Sequence, residues 1–207
     1  MQGRLFVLSA PSGSGKSTLK DRILQRLPNL VYSVSYTTRK PRPGEVDGRD
    51  YNFVSEDDFK KMITGGQFLE WAEVFGRFYG TSRHWVEERL AEGRHVLLDI
   101  DVKGAKSVGE QDPAAILIFM APPSLAELRR RLSDRRTEAP EEIERRLTEA
   151  RTEIESRDMF NYLLVNDDLD RAADELAAII SQGQGRAMAG SEAFWTEFLA
   201  EAEDRRP

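Results

Sequence analysis

The chain reads as an α/β protein: a parallel sheet flanked by helices, with one inserted lobe and one helical arm. Three observations predict this. The apolar runs Leu5–Ser9, His95–Ile100, Ala115–Met120 and Tyr162–Val165 lack polar alternation, as strands covered on both faces do. Helical stretches follow them: Ser17–Leu27 after the first, Ser124–Asp134 after the third and Asp168–Ile180 after the fourth. Strands alternating with helices are the signature of a parallel sheet with helices on its faces. A Gly- and Ser-rich turn, finally, joins the first strand directly to its helix.

Composition narrows the function classes. With 207 residues, 40% apolar and 32% charged, the chain is long enough to bury a core and is neither disordered nor membrane-like. No apolar run approaches the ~20 residues needed to cross a bilayer. The first thirteen residues make a poor secretory signal and a better strand. There is no cysteine, so disulfides, thiolate zinc sites and cysteine nucleophiles are excluded. The expected setting is cytoplasmic. A net charge of −6 argues against a nucleic-acid binder. Of the 30 basic residues 23 are Arg, the side chain that grips carboxylates and phosphates bidentately.

The first strand leads into Ala10-Pro11-Ser12-Gly13-Ser14-Gly15-Lys16-Ser17-Thr18, close to G-x-x-x-x-G-K-[ST] with Ala10 in place of the first glycine. Gly13 and Gly15 let backbone N–H groups crowd around phosphate oxygens, and the following helix N-terminus adds positive charge. Lys16 is expected on the β/γ-phosphates and Ser17 on Mg²⁺.

Residues 32–80 break the rhythm and read as the inserted lobe. They hold two β-like pieces, Tyr32–Thr38 and Tyr51–Val54, and a helix starting at Ser55 with Asp58 placed near a capping box. Arg39 and Arg42 with Tyr51 and Tyr79 make a candidate phosphate clamp; a solvated basic loop is the plainer reading. Trp71, Phe75 and Phe78 are expected to pack this lobe. The strand His95–Ile100 ends in Asp99 and Asp101, at the strand edge where α/β proteins bind ligands. Asp99 is a candidate to orient the metal through water, although carboxylates at strand ends are often only helix caps.

Residues 125–157 read as two charged helices broken near Pro140, a candidate lid with arginines at 129, 130, 131, 135, 136, 145 and 146. Residues 182–192 read as a linker, and 193–202 as a short amphipathic helix. Its Phe194/Trp195/Phe198/Leu199 face docks on the same chain or on a second subunit, so a homo-oligomer is possible. Met62, Met120 and Met159 are expected as core filler, and His84 and His95 as surface and strand-start residues.

SAPSGSGKSTL, YTTRKPRPGEVDGRDYNFV, FLEWAEVFGRFYGT, LLDID and LVNDDLD follow one another as in guanylate kinases, and residues 3–181 resemble that family. The resemblance implies a P-loop parallel sheet with an inserted GMP-binding lobe (34–81), a helical lid (125–157) and a core formed by 1–33, 82–124 and 158–181. It implies ATP and GMP as substrates, Mg²⁺ with the ATP, and no nucleic acid or membrane partner. Ser35, Glu70, Thr81 and Asp101 would contact guanine; Arg39, Arg42, Tyr51 and Tyr79 would hold the GMP phosphate. Arg131, Arg135 and Arg146 would be the lid and phosphoryl-transfer arginines, acting with Lys16 and Arg39, and Asn166 would lie near the adenine. Ala10 and the tail after about 181 depart from the pattern.

The base choice also has a physical logic. Guanine offers N–H donors on its Watson–Crick edge, which suit carboxylates, whereas adenine offers an acceptor at N1. An unpaired buried group can give ~10⁴-fold rejection. Two other readings compete: a binding module that uses the same cleft for a phosphopeptide, and a related small-molecule kinase such as a ribose 1,5-bisphosphate phosphokinase. The first predicts a damaged phosphate loop, the second no need for Glu70 and Asp101. A nucleotide-switch GTPase would need a guanine-selecting element for the donor.

Overall fold

The computed structural model describes residues 2–74, 76–134 and 140–203; Phe75, Arg135 and Arg136, named above, lie outside these. The chain falls into two compact units, one of Met1–Phe6 and Pro28–Ala115, the other of Val7–Leu27 and Ile116–Pro207.

The first strand, β1 (Leu5–Ser9), is buried throughout and contributes to both units. Among the described residues the main sheet has six strands in the order β10-β9-β8-β1-β7-β2. Here β2 is Leu30–Tyr32, β7 His95–Asp99, β8 Ile116–Ala121, β9 Tyr162–Val165 and β10 Arg186–Ala187. The pairs β2–β7 and β8–β9 are parallel, with Val31 opposite Val96 and Phe119 opposite Leu163. Strand β10 is antiparallel to β9.

In the unit that holds the phosphate loop, α1 (Lys16–Arg26) packs on α7 (Leu169–Gln182) through a helix–helix face that buries Leu19, Ile23 and Leu176. Arg22–Asp170 and Arg26–Asp174 ion pairs rim that face. Helix α5 (Leu125–Ser133) buries Leu125, Leu128 and Leu132, and α6 (Pro140–Glu155) opens with Pro140, where a missing N–H costs no intrahelical bond. Ser124 and Asp168 cap α5 and α7 by accepting the N–H groups of Glu127 and Arg171.

The other unit contains a second sheet in the order β4-β3-β6-β5: β3 (Tyr36–Thr37), β4 (Asn52–Phe53), β5 (Phe68–Val74) and β6 (Arg77–Ser82). The extended piece expected over Tyr32–Thr38 is therefore corrected. It is two strands in two sheets, because the Ser33 N–H still bonds to the Leu97 carbonyl before the chain leaves for the lobe. The β5–β6 hairpin was not expected at all. Helix α2 (Glu56–Thr64) starts as expected, Ser55 Oγ accepting from the Asp58 N–H at 3.1 Å. It sends Phe59 onto Phe68 and Phe78, with ring centroids 4.4 and 5.5 Å apart. Trp71 does not pack this core: it is 45% exposed, touching Phe78 edge-on. Helices α3 (Arg83–Ala91) and α4 (Val102–Gln111) complete the unit, His84 lying exposed on α3.

The tail is more ordered than a linker. Residues 186–187 form β10, Met188 is buried with its N–H on the Asn161 carbonyl, and α8 (Glu192–Glu203) comes next. Trp195 and Phe198 are buried on the same chain, Trp195 edge-on to Phe119 at 5.8 Å. Of the three methionines expected as filler, Met120 is fully buried, while Met62 and Met159 are only half-buried.

Candidate active site

The candidate residues form two clusters, each inside one unit and each a candidate half-site. The first is the phosphate loop. Gly13 and Gly15 take φ of 93° and 92°, left-handed values that disfavour any side chain, and Gly15 serves as the N-cap of α1. Neither has room for a Cβ, which would meet Leu132 Cδ2 at 2.8 Å over Gly13 and Asn166 Nδ2 at 2.6 Å over Gly15. Ala10 and Pro11 are buried at the start of the loop. Ser12 is exposed, Lys16 opens the helix half-buried, and Ser17 and Thr18 are exposed in its first turn.

Around this loop, side chains from α5 and the end of β9 hold main-chain carbonyls, and one from α6 holds a loop hydroxyl. Asn166 is 5% exposed and donates from Nδ2 to the Ser14 carbonyl at 2.7 Å. Arg131 donates to the Asn166 carbonyl at 2.8 Å and the Ser14 carbonyl at 3.3 Å, while its Nε bonds to Glu127 at 2.7 Å. Arg146 reaches Ser12 Oγ at 2.8 Å and Glu142 at 3.2 Å. Glu127 lies between Arg130 and Arg131, whose hydrogen bonds, Arg130 first, hold its pKa down to about 2. The structure thus brings Asn166, Arg131 and Arg146 to the loop. It gives Asn166 a bracing contact that the sequence did not suggest.

The second half-site lies on the lobe and the strand end beside it. Along β6, Phe78 faces Phe59, so alternation turns Tyr79 and Thr81 to the opposite face, about 7 Å apart at strand spacing. At the Tyr79 end, Arg39 grips Glu45 with both guanidinium nitrogens, at 2.8 and 2.9 Å. Arg39 lies over the Tyr51 ring at 5.1 Å, and Tyr51 meets Tyr79 edge-on. Glu45 also accepts the Arg42 N–H at 2.7 Å, and its pKa is held below the carboxylate norm chiefly by Arg39. Glu45 is the residue sequence reasoning missed; its position three after Arg42 in a Pro-Gly turn was the available signal. Burial first, then the charges of Tyr79 and Asp99, push the Tyr51 phenol up, which ties Asp99 to this end.

At the Thr81 end, Glu70 stands opposite Thr81 in the β5–β6 register, and Thr81 Oγ1 donates to Glu70 Oε1 at 2.6 Å. Glu70 is 5% exposed, and burial, with a lesser contribution from the Asp101 charge, raises its pKa to about 7. Asp101 caps α4, its Oδ1 accepting the Gly104 N–H at 2.7 Å. The cap and the ligand readings of Asp101 are compatible, since a carboxylate has a second oxygen. Ser35 is buried beside β3, its carbonyl taken by the Asn52 N–H.

Comparison with known proteins gives the family. The guanylate kinase family model matches residues 2–183. The chain belongs to the guanylate kinase family. It is 49% identical over 180 residues to the guanylate kinase of Dechloromonas aromatica, covering 87% of this chain and 89% of that one. It is also 49% identical over 179 residues to the guanylate kinase of Rubrobacter xylanophilus, covering 86% and 94%. The crystal structure of guanylate kinase from Anaplasma phagocytophilum superposes with a TM-score of 0.74 at 36% identity, covering 90% of this chain and 89% of that chain. The tail beyond residue 183, with β10 and α8, lies outside the family match.

Proposed function

We propose that this guanylate kinase transfers the γ-phosphoryl group of ATP to GMP, giving ADP and GDP, with the donor held by the phosphate loop and the acceptor by the lobe. The observation that carries the acceptor's identity is the buried Glu70 carboxylate beside Asp101. Guanine can donate to both; adenine would leave buried oxygens unpaired. Ser35 and Thr81 line the same end in this reading. Arg39, Arg42, Tyr51 and Tyr79 take the GMP phosphate, which replaces Glu45 as the partner of Arg39.

The acceptor phosphate has a second pKa near ~6, so it is largely dianionic at neutral pH and no general base is required. The work is to cancel repulsion between two anions. Lys16 and the loop N–H groups meet the donor, and Arg39 meets the acceptor. Arg131 and Arg146 add positive charge beside the phosphate loop, Arg131 with three of its five N–H donors already committed to bracing.

In the unit of the phosphate loop Ser17 is the residue that would hold Mg²⁺; Asp99, expected to act through water, belongs to the other unit. A hydroxyl exposed in the first turn of α1 and a strand-end carboxylate are hard oxygen donors that fit it. Among the described residues no group of three or more His, Asp or Glu could hold a metal ion by itself. Bound there, it supplies charge neutralisation on the β/γ oxygens. Among the described residues no helix is long and apolar enough to cross a membrane.

Substrate-specific kinetics test the assignment. Lys16→Ala should lower kcat by at least about 10²-fold while GMP affinity is kept. Arg39→Ala should raise the KM for GMP and leave that for ATP. The reverse pattern would refute the assignment of the half-sites.

A further inference from the structure

Helix α4 begins with a residue that is poor for a helix. Gly104 sits at its third position, although glycine is the weakest helix former after proline. Its φ is unremarkable, so backbone conformation does not explain it; space does. A Cβ built there would lie 2.9 Å from Glu70 Oε2, 3.2 Å from Ile100 Cδ1 and 3.3 Å from Asp101 Oδ1. The Glu70 carboxylate cannot simply swing away. It is buried at 5% exposure, and its other oxygen is fixed by Thr81 Oγ1 at 2.6 Å, itself from a residue only 1% exposed. The Gly104 N–H also fixes Asp101, at 2.7 Å.

We propose that Gly104 is a positioning residue for base selection: its missing side chain lets α4 close onto Glu70, so that Glu70 Oε2 and Asp101 are set as a pair for a purine bearing N–H donors. A methyl at 104 displaces the oxygen of Glu70 that Thr81 does not hold. The glycine touches no substrate and acts through the two carboxylates. This inference rests on the reading that Glu70 and Asp101 contact guanine.

The test measures kcat and KM of the full-length protein with GMP and with AMP at saturating ATP. It compares the parent, Gly104→Ala, Glu70→Gln and the double variant. Gly104→Ala should lower kcat/KM for GMP at least about tenfold through KM. Its kcat at saturating GMP, its KM for ATP and its kcat/KM for AMP should stay within about threefold, so the GMP:AMP ratio narrows about tenfold. In the Glu70→Gln background the same change should add less than about threefold, because its target is already gone. A GMP KM unchanged by Gly104→Ala, an equal loss for both nucleotides, or full multiplicativity with Glu70→Gln overturns the role of Gly104. If Glu70→Gln leaves the KM for GMP at the parent value, the guanine-contact reading itself has failed, and the inference with it.

Should Gly104→Ala not fold, the same substitution in Glu70→Asp decides, since a carboxylate one methylene shorter withdraws from the new methyl. A GMP KM within about threefold of Glu70→Asp alone is expected there, and a tenfold larger loss overturns the proposal.

Discussion

Glu70 is where burial and recognition pull in opposite directions. With its pKa raised to about 7 by burial, the carboxyl without nucleotide is part-protonated at neutral pH, yet the carboxylate is the stronger acceptor and the protonated form turns an O–H donor toward guanine's donors. GMP affinity should therefore fall as pH drops below 7, approaching tenfold per pH unit. Folding responds with the opposite sign. Between the ordinary carboxylate pKa near 4.5 and about 7, the native chain binds more protons at Glu70 than the unfolded chain. Its contribution to stability is thus fully present below that range and lost as pH rises through 7. The GMP phosphate also titrates near ~6, so the control is Glu70→Gln, whose KM profile should keep only the phosphate step. If parent and Glu70→Gln profiles coincide from pH 5.5 to 8, Glu70 does not read the base. The residues expected at this end came from the resemblance to guanylate kinases, and the pairing of a carboxylate with guanine donors is consistent with them. The sequence did not reveal the Thr81 bond, which joins residues 11 apart across an unmarked hairpin, nor Glu45, whose two-pronged grip on Arg39 depends on how the Pro-Gly turn folds back. Asn166 was read as an adenine neighbour; its carboxamide, committed to Ser14, adds support of the phosphate loop.

At the scale of elements, strong patterns were readable and short ones were not. The runs that became β1, β7, β8 and β9 are nearly all apolar, and Ser55 and Asp168 announce α2 and α7 by cap chemistry. The hairpin of β5 and β6 was missed because its burial follows no simple alternation. Phe68, Leu69 and Glu70 are buried in succession across a register shift. Strand β10 has two exposed residues and nothing in its pattern to announce it. Its role is to lead the chain into α8, where Trp195, 4% exposed, donates from Nε1 to Ser191 Oγ at 2.9 Å and packs on Phe119 of β8. Trp195→Ala should cost ~3–5 kcal/mol, a fall of roughly 6–20 °C in Tm at 2–4 °C per kcal/mol for a domain of this size. A scanning calorimetry shift under 2 °C would mean that the tail is not part of the cooperative core.

For the molecule as a whole, the sequence supplied the class and left the partition to the structure. The loop from β1 into α1 and the order of motifs pointed to an α/β phosphotransferase. The division of the candidate residues between a unit with the glycine-rich loop and a unit with Arg39 and the buried Glu70 depends on contacts far apart in sequence, such as Arg131 with Ser14. A net charge of −6 coexists with this function because the arginines are placed rather than numerous in excess. The central claim is that one half-site supplies a phosphoryl group and the other admits only a base with donors to give. Its direct measurement is phosphate transfer from ATP–Mg²⁺ to GMP, AMP, UMP and CMP in parallel. The account predicts GDP from GMP, with kcat/KM at least about 10³–10⁴-fold above that for AMP. Comparable rates with AMP, or no GDP at all, would contradict it.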